Sequence, residues 1–486
     1  MNNESIKKKT ISGLLWKFGE NGLSQIVNFV ISIILARMLL PEDYGIIALV
    51  TVFITICDKL VVSGLATSLI QKKDADNKDF STIFYFSLAI AVFLYGVLFV
   101  TAPLIADFFR AYERKLLINV IRVMGVQLVI LAVNSVQSAY VSRTMQFRRF
   151  FWSTLGGTLV SAVVGIWMAY EGFGVWALVA QYLVKMLGGT VVLWFTAKWR
   201  PSLTFSLERF KSLYAFGWKI FVASMIKVLY NDLRSLVIGK FYSSAQLAFY
   251  NKGQSFPQLV ESNVGGTIDS VFFPAISRKQ SSKEELLSML RRTVKISSFI
   301  LVPLLVGLAA VAAPLVEVLL TEKWLPCVFY LQIISFSFVF SPMEIENLQA
   351  IKAIGRSDIV LKLEIVKKIV GVGLLVIAIP IGVEAIAISF LVGNVFAAFV
   401  NAFPNRTLMG YKYAMQLADI LPPLLMSVAM YAAIWAVSFT GLPALVLLVL
   451  EVFVGATVYL LLAVVTRNES FRYVINTVNR FVRKKK

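Results

Sequence analysis

Stretches of mostly apolar residues, parted by short polar runs, recur along this whole chain. A helix needs about 20 such residues to cross the hydrocarbon core of a bilayer. Read on that scale, the pattern predicts spans near 14–40, 45–70, 80–102, 116–140, 150–170, 173–197, 213–240, 247–276, 293–320, 328–352, 359–380, 383–405, 416–440 and 442–466. The expectation is an all-α polytopic membrane protein of about fourteen transmembrane helices. The spans at 14–40, 213–240 and 247–276 are the least apolar. They are kept because omitting any of them spoils an alternation in the loops.

Lys and Arg in short loops set the orientation of a membrane protein. Cations cluster at Lys7, Lys8 and Lys9, then in every second loop: Lys72, Lys73 and Lys78; Arg143, Arg148 and Arg149; Lys198, Arg200, Arg209 and Lys211. The same holds for Arg278 to Lys295, for Lys352, Arg356 and Lys362, and for Arg406 and Lys412. Intervening loops such as "PEDYG", "YEGFG", "IPIGVE" and "FTGLPA" have none, and the loop with Arg110, Arg114 and Lys115 is the main exception. The alternation predicts an even number of spans with both termini in the cytoplasm. No cleavable signal peptide is expected from "MNNESIKKKT". At the other end, "SFRYVINTVNRFVRKKK" puts Phe471, Val474, Ile475, Val478, Phe481 and Val482 on one helical face. Such a basic amphipathic tail suits the anionic inner leaflet, or a solvated position beside it.

The chain also resembles itself at a separation of roughly 200–210 residues, the mark of an internal repeat. "KFGE" (17–20) recurs as "AFGW" (215–218), and "TAPLIADFF" (101–109) as "AAPLVEVLL" (312–320). "NSVQSA" (134–139) matches "ENLQAI" (346–351), and "GVWALVA" (174–180) matches "GVEAIAI" (382–388). This predicts six-helix bundles at 1–200 and 205–410, two further helices at 411–466, and the tail at 467–486. Parallel repeats of this kind favour a transporter working by alternating access.

Composition changes the picture only by exclusion. Of 486 residues, 58% are hydrophobic, mean hydropathy is +0.78, and net charge is +20 with no histidine. The basic residues lie in short loops between apolar spans, so a membrane fits better than nucleic acid. Cys57 and Cys327 stand far apart and form no disulfide framework or metal-ligand spacing. Without histidine there is no His-based proton switch or H-E-x-x-H site, and no G-x-x-x-x-G-K-[ST] loop occurs. No catalytic residue, cofactor or metal is expected.

The candidate chemistry sits inside the apolar spans. Charges at the bilayer centre cost about 2.5–3.5 kcal/mol each on the insertion scale, so they face a cavity or a partner. In "WKIFVASMIKVLYNDLRS" (218–235), Lys219, Lys227, Asn231 and Arg234 fall within an arc of about 120° and climb roughly 22 Å. Asp232 falls outside the arc. The repeat counterpart at 14–40 places Lys17, Asn21, Ser24, Asn28 and Ser32 on one face, with Glu20 at its edge. Asp58 and Lys59 are adjacent; Gln254, Gln258, Glu261 and Gly265 stack on one side of their span, near Lys252 and Asp269; the fourth span offers Gln127, Asn134 and Gln137. Cations amid amides and hydroxyls suit an anionic head group attached to sugars. The competing reading is that these charges pair with Glu20, Asp58, Asp232 and Glu261 and merely hold helices together.

The opening "KKTISGLLWKFGENGLSQIVNFVISIILARMLLPEDYGIIALVTVF" resembles bacterial polysaccharide flippases of the Wzx type. So do "GLATSLIQKKDADNKDFSTIFYFSL", "GFGVWALVAQYL" and "LAFYNKGQSFPQL". The likeness is closest to the branch of colanic-acid and teichuronic-acid exporters and covers nearly the whole chain. It implies a member of the multidrug/oligosaccharidyl-lipid/polysaccharide superfamily, not an enzyme. Such a protein moves undecaprenyl-pyrophosphate-linked oligosaccharide across the bacterial cytoplasmic membrane, among membrane lipids and beside a polysaccharide polymerase and export machinery. The motifs are packing and turn residues, so no site residue carries over from the family.

Helical phase and charge instead nominate Lys17, Asn21, Asn28, Lys219, Lys227, Asn231, Arg234 and Lys252 for substrate binding. Glu20, Asp58, Asp232, Glu261 and Asp269 are nominated for coupling to H⁺ or Na⁺. A multidrug or cation antiporter and a lipid II flippase are the alternatives. A cation carrier needs a cavity of acids and aromatics, and the polar faces here hold more Lys and Arg.

Overall fold

The computed structural model describes the backbone of residues 3–62, 64–109, 112–277 and 282–483. It describes the side chains of these apart from 3–15, 18, 21, 216, 267, 269–271, 273–275, 277 and 477–483. Among the described residues the chain is helical without a strand, and it divides into two compact units, Met1–Ala248 and Phe249–Lys486.

The first unit holds α1 (Asn3–Met38), α2 (Pro41–Val62), α3 (Leu65–Gln71), α4 (Asn77–Phe108), α5 (Arg114–Gly125), α6 (Gln127–Arg143), α7 (Phe147–Tyr170), α8 (Val175–Thr196) and α9 (Leu207–Phe241). The helix α10 (Ser244–Ser277) begins in it. The second unit adds α11 (Lys283–Ala310), α12 (Ala312–Leu320), α13 (Cys327–Phe338), α14 (Ser341–Ala353), α15 (Ser357–Ala378), α16 (Val383–Ala402) and α17 (Asn405–Leu408). It closes with α18 (Tyr413–Ser438), α19 (Ala444–Val465) and α20 (Glu469–Arg483).

A helix or a broken helix pair stands in each predicted span. Nine are long and apolar enough to cross a membrane among the described residues, and eleven if each bent pair counts as one span. The charged helices α1, α10 and α15 fall outside that number, although they run for 36, 34 and 22 residues. Outward faces are apolar, as at Val100, Val163 and Phe195. This distribution suits lipid and is costly in water.

Within the first unit, α2 packs on α4, α5, α6, α8 and α9. On another side α1 packs on α7, and α7 on α8. Small residues let the last pair approach: a Cβ on Gly157 would stand 2.5 Å from the Lys185 carbonyl oxygen. The entry to α4 is locked by charge. Asp76 caps the Asp79 amide at 2.9 Å, and Asp79 accepts from the Asp76 amide at 3.1 Å. Fully buried Asp79 also takes Lys72 at 2.7 Å.

The second unit is likewise built of helices among the described residues. There α11 packs on α13 and α14, these two pack on α16, and α15 packs on α16. The fourth and the tenth predicted spans are broken, between α5 and α6 and between α13 and α14. Pro342 in the first turn of α14 accounts for the second break, since it lacks an N–H and disfavours helix before it. Gly174 and Gly382 precede α8 and α16 at φ of +54° and +153°. Each is followed by a buried valine, Val175 or Val383, and both positions need the freedom of glycine.

Candidate functional site

The helix α9 bends by 53° between Leu207–Ala215 and Gly217–Phe241. The kink lies below Lys219, so the predicted row of cations stands on one straight segment. Gly64, at φ +68°, meets the kink: a Cβ there would lie 2.4 Å from the Gly217 carbonyl oxygen. Above it, Lys219, Lys227 and Asn231 are exposed and Asp232 is half-buried. Arg234 is only 6% exposed. No hydrogen bond or salt bridge engages Lys219 or Lys227 among the described residues. Aliphatic and aromatic neighbours flank them on the exposed surface, with Trp218, Val222 and Ile226 each at least 40% exposed.

The counterpart helix α1 is arranged differently. Lys17 Nζ lies 2.8 Å from Glu20 Oε2, and the Thr154 hydroxyl of α7 donates to Glu20 Oε1 at 2.9 Å. Lys17 also sits 5.2 Å from the centre of the Phe150 ring. Asn28 donates to the Ser24 carbonyl at 2.6 Å and accepts from Lys185 Nζ of α8 at 2.8 Å. These contacts knit α1, α7 and α8 together. The side chain of Asn21 lies outside those described.

Of the remaining acids, Asp58 is half-buried, and its Oδ1 has no hydrogen-bond partner among the described residues. The side chain of Asp269 lies outside those described. In the second unit, Lys252 stands 5.7 Å from the centre of the Trp324 ring, and Glu261 is half-buried, with one oxygen 3.6 Å from where a Cβ on Gly265 would lie. Asn134 donates to Thr190 at 3.0 Å, and buried Gln137 to the Trp199 carbonyl at 3.4 Å, so both act in helix packing. Arg114 of the exceptional loop is held by Asp107 at 2.5 Å.

Three groups escaped the sequence reading. Lys185 is the only charged residue within 175–196, which was the available signal. Lys367 of α15 pairs with Glu344 at 3.2 Å and Glu364 at 2.7 Å. Asp419 of α18 receives Arg291 twice at 2.8 Å and the Tyr411 hydroxyl at 2.9 Å. Arg291 was expected only as an orientation signal, and it is also half of a bidentate ion pair. Among the described residues no group of acids and cysteines could hold a metal ion.

The family described as "Polysaccharide biosynthesis protein" matches residues 34–329. The chain is 24% identical over 424 residues to the succinoglycan biosynthesis transport protein ExoT of Rhizobium meliloti (strain 1021), covering 87% of this chain and 82% of that one. It is 22% identical over 476 residues to the teichuronic acid biosynthesis protein TuaB of Bacillus subtilis (strain 168), covering 95% and 96%. Among solved structures, the lipid II flippase MurJ in its inward closed conformation superposes with a TM-score of 0.76 at 15% identity, covering 95% of this chain and all of that one. At that identity the likeness speaks for the fold.

Proposed function

We infer, since this chain belongs to the polysaccharide biosynthesis protein family, that it is a flippase for lipid-linked oligosaccharide and catalyses no covalent step. The observation that carries the reading to residues is the row on α9. Lys219 and Lys227 are exposed and without a salt-bridge partner among the described residues, on a helix that the apolar pattern sets in the membrane. A charge at that depth is retained where it meets an anion or water. Phosphate oxygens accept charge-assisted bonds from Lys, and Asn231 on the same face offers an amide to sugar hydroxyls.

In this proposal the substrate is an undecaprenyl-pyrophosphate-linked oligosaccharide. Its phosphates meet Lys219 and Lys227 while the isoprenoid tail stays in lipid, and transfer proceeds by alternating access. Glu20, held by Lys17 and Thr154, is a poor coupling acid. Asp58 and Asp232, half-buried on the packed helices α2 and α9, are better ones. The loop charges favour the bacterial cytoplasmic membrane with cytoplasmic termini, where the substrate's polymerase and export machinery would receive the product. The lipid II and drug-cation readings differ in cargo, and a row of lysines opposes the second.

The test is binding in detergent, because a ligand bound only to the native state raises its apparent stability. An undecaprenyl-pyrophosphate oligosaccharide is expected to raise the melting midpoint of the wild-type protein and to lose that effect in Lys227→Ala. Stabilisation by lipophilic drug cations alone would overturn the reading and make the α9 row structural.

A further inference from the structure

We propose that α20 and the adjoining ends of α11, α18 and α19 form a binding site for an anionic phospholipid, separate in role from the transported substrate. Two cavities of about 400 and 750 Å³ share the walls Arg291, Lys295, Glu469 and Ser470. Arg292 and Tyr473 also line the first, and Arg467 lines the second. The charges around them do not balance. Asp419 is occupied by Arg291 at 2.8 Å, and Glu469 by Lys295 at 2.9 Å. Arg292 and Arg467 have no carboxylate partner among the described residues, and both are exposed. Arg292 is held in place by the Tyr473 ring, 3.8 Å below its guanidinium. The site therefore offers two uncompensated guanidiniums, a geometry suited to phosphate oxygens.

The start of α20 is not itself the anion site. Its first amides, on Ser470 and Phe471, already donate to Asn468 Oδ1 at 2.9 and 3.3 Å. The second observation is apolar. Leu421 and Leu425 of α18 line the larger cavity. They belong to an exposed stripe with Leu417 and Val428, each more than 40% exposed. That stripe runs about 16 Å along the helix, the reach of much of one acyl chain. A free anion uses only the basic half of this surface, and a phospholipid uses both. The loop charges assign this end to the leaflet where anionic lipids concentrate. Of these helices, α18, α19 and α20 lie beyond the predicted repeat at 205–410, so the site as a whole has no predicted counterpart at 1–200.

The experiment uses the full-length chain in detergent with three probes: dioleoylphosphatidylglycerol, dioleoylphosphatidylcholine and inorganic phosphate. The phosphatidylglycerol is expected to raise the melting midpoint saturably, and the other two to leave it unchanged. The double variant Arg292→Gln with Arg467→Gln is expected to need about 30-fold more phosphatidylglycerol, the loss typical of two basic groups at an anionic surface. Equal stabilisation by phosphatidylcholine, full reproduction by phosphate, or an unchanged midpoint series in the double variant would each overturn the proposal. So would loss of undecaprenyl-pyrophosphate oligosaccharide binding in that variant, because the site would then serve the cargo. Should the variant fold poorly, hydrogen exchange of the wild-type protein in nanodiscs decides the matter. Segments 284–296 and 466–476 are expected to exchange several-fold more slowly in phosphatidylglycerol than in phosphatidylcholine, and equal exchange overturns the proposal.

Discussion

The sequence repeat predicts that α1 and α9 are counterparts, yet they handle intramembrane charge in opposite ways. On α1, Lys17 finds Glu20 and Asn28 finds Lys185, so both charged or amide groups are answered by a neighbour. On α9, Lys219 and Lys227 face outward with no salt bridge among the described residues. Phase alone places both rows on one face of a helix. What separates them is the neighbour: α7 and α8 supply Thr154 and Lys185 to α1, whereas α9 packs on α2, α3 and α4 with Lys219 and Lys227 left exposed. A satisfied charge is explained by packing. An unsatisfied one in a membrane span calls for a ligand.

The largest effect should come from breaking the α9 side. Lys227→Ala is expected to reduce polymer export about tenfold or more, the scale of one lost charge-assisted hydrogen bond in the loaded state. Its amount in the membrane and its melting midpoint without ligand should stay near wild type. Export at the wild-type rate would move Lys227 out of the site. Lys219→Gln, nearer the helix start, should have the same sign and a smaller size, about threefold.

Breaking the α1 side should show the reverse profile. Glu20→Ala removes the buried acceptor of Lys17 and Thr154, and is expected to cost about 1–3 kcal/mol of stability. Lys17 keeps 45% of its side-chain exposure and can turn to solvent, which argues for the lower half of that range. The readout is the melting midpoint in detergent, with export corrected for the amount of folded protein. A variant with full stability and no export would make Glu20 part of transport.

Much of this was legible in the sequence. The helical spans depend on periodicity and on local residues such as Gly174 and Gly382, whose backbone needs are written in the residue type. The fate of each charge was not legible. Lys17 and Lys227 look alike on a helical wheel, and only the packing of α7 against α1 tells them apart. Asp419 was missed for the same reason, since its partner Arg291 lies 128 residues away. Arg234 shares the phase of the row yet is buried, near the end of α9 where Ile238 and Gly239 are buried too. The break of α9 at 216 has no proline to announce it.

The smallest effect concerns a charge that is partnered but outside the membrane. Glu469 at the start of α20 is held below the usual carboxylate range, first by its hydrogen bond from Lys295 and then by the same residue's charge, with Asp419 opposing. A depressed folded-state value means the stabilisation is complete above the unfolded value of about 4.3 and is lost as pH falls through the folded one. Because Glu469 is largely exposed, solvent screening keeps the effect small. A spin label on Asn476→Cys should therefore report a firmly docked α20 from neutral pH down to about pH 5. Its mobile fraction should grow only below about pH 4. Glu469→Gln should raise the mobile fraction at neutral pH and flatten the acid response. If the label in that variant still loosened with acid as in wild type, the titration would belong to another group.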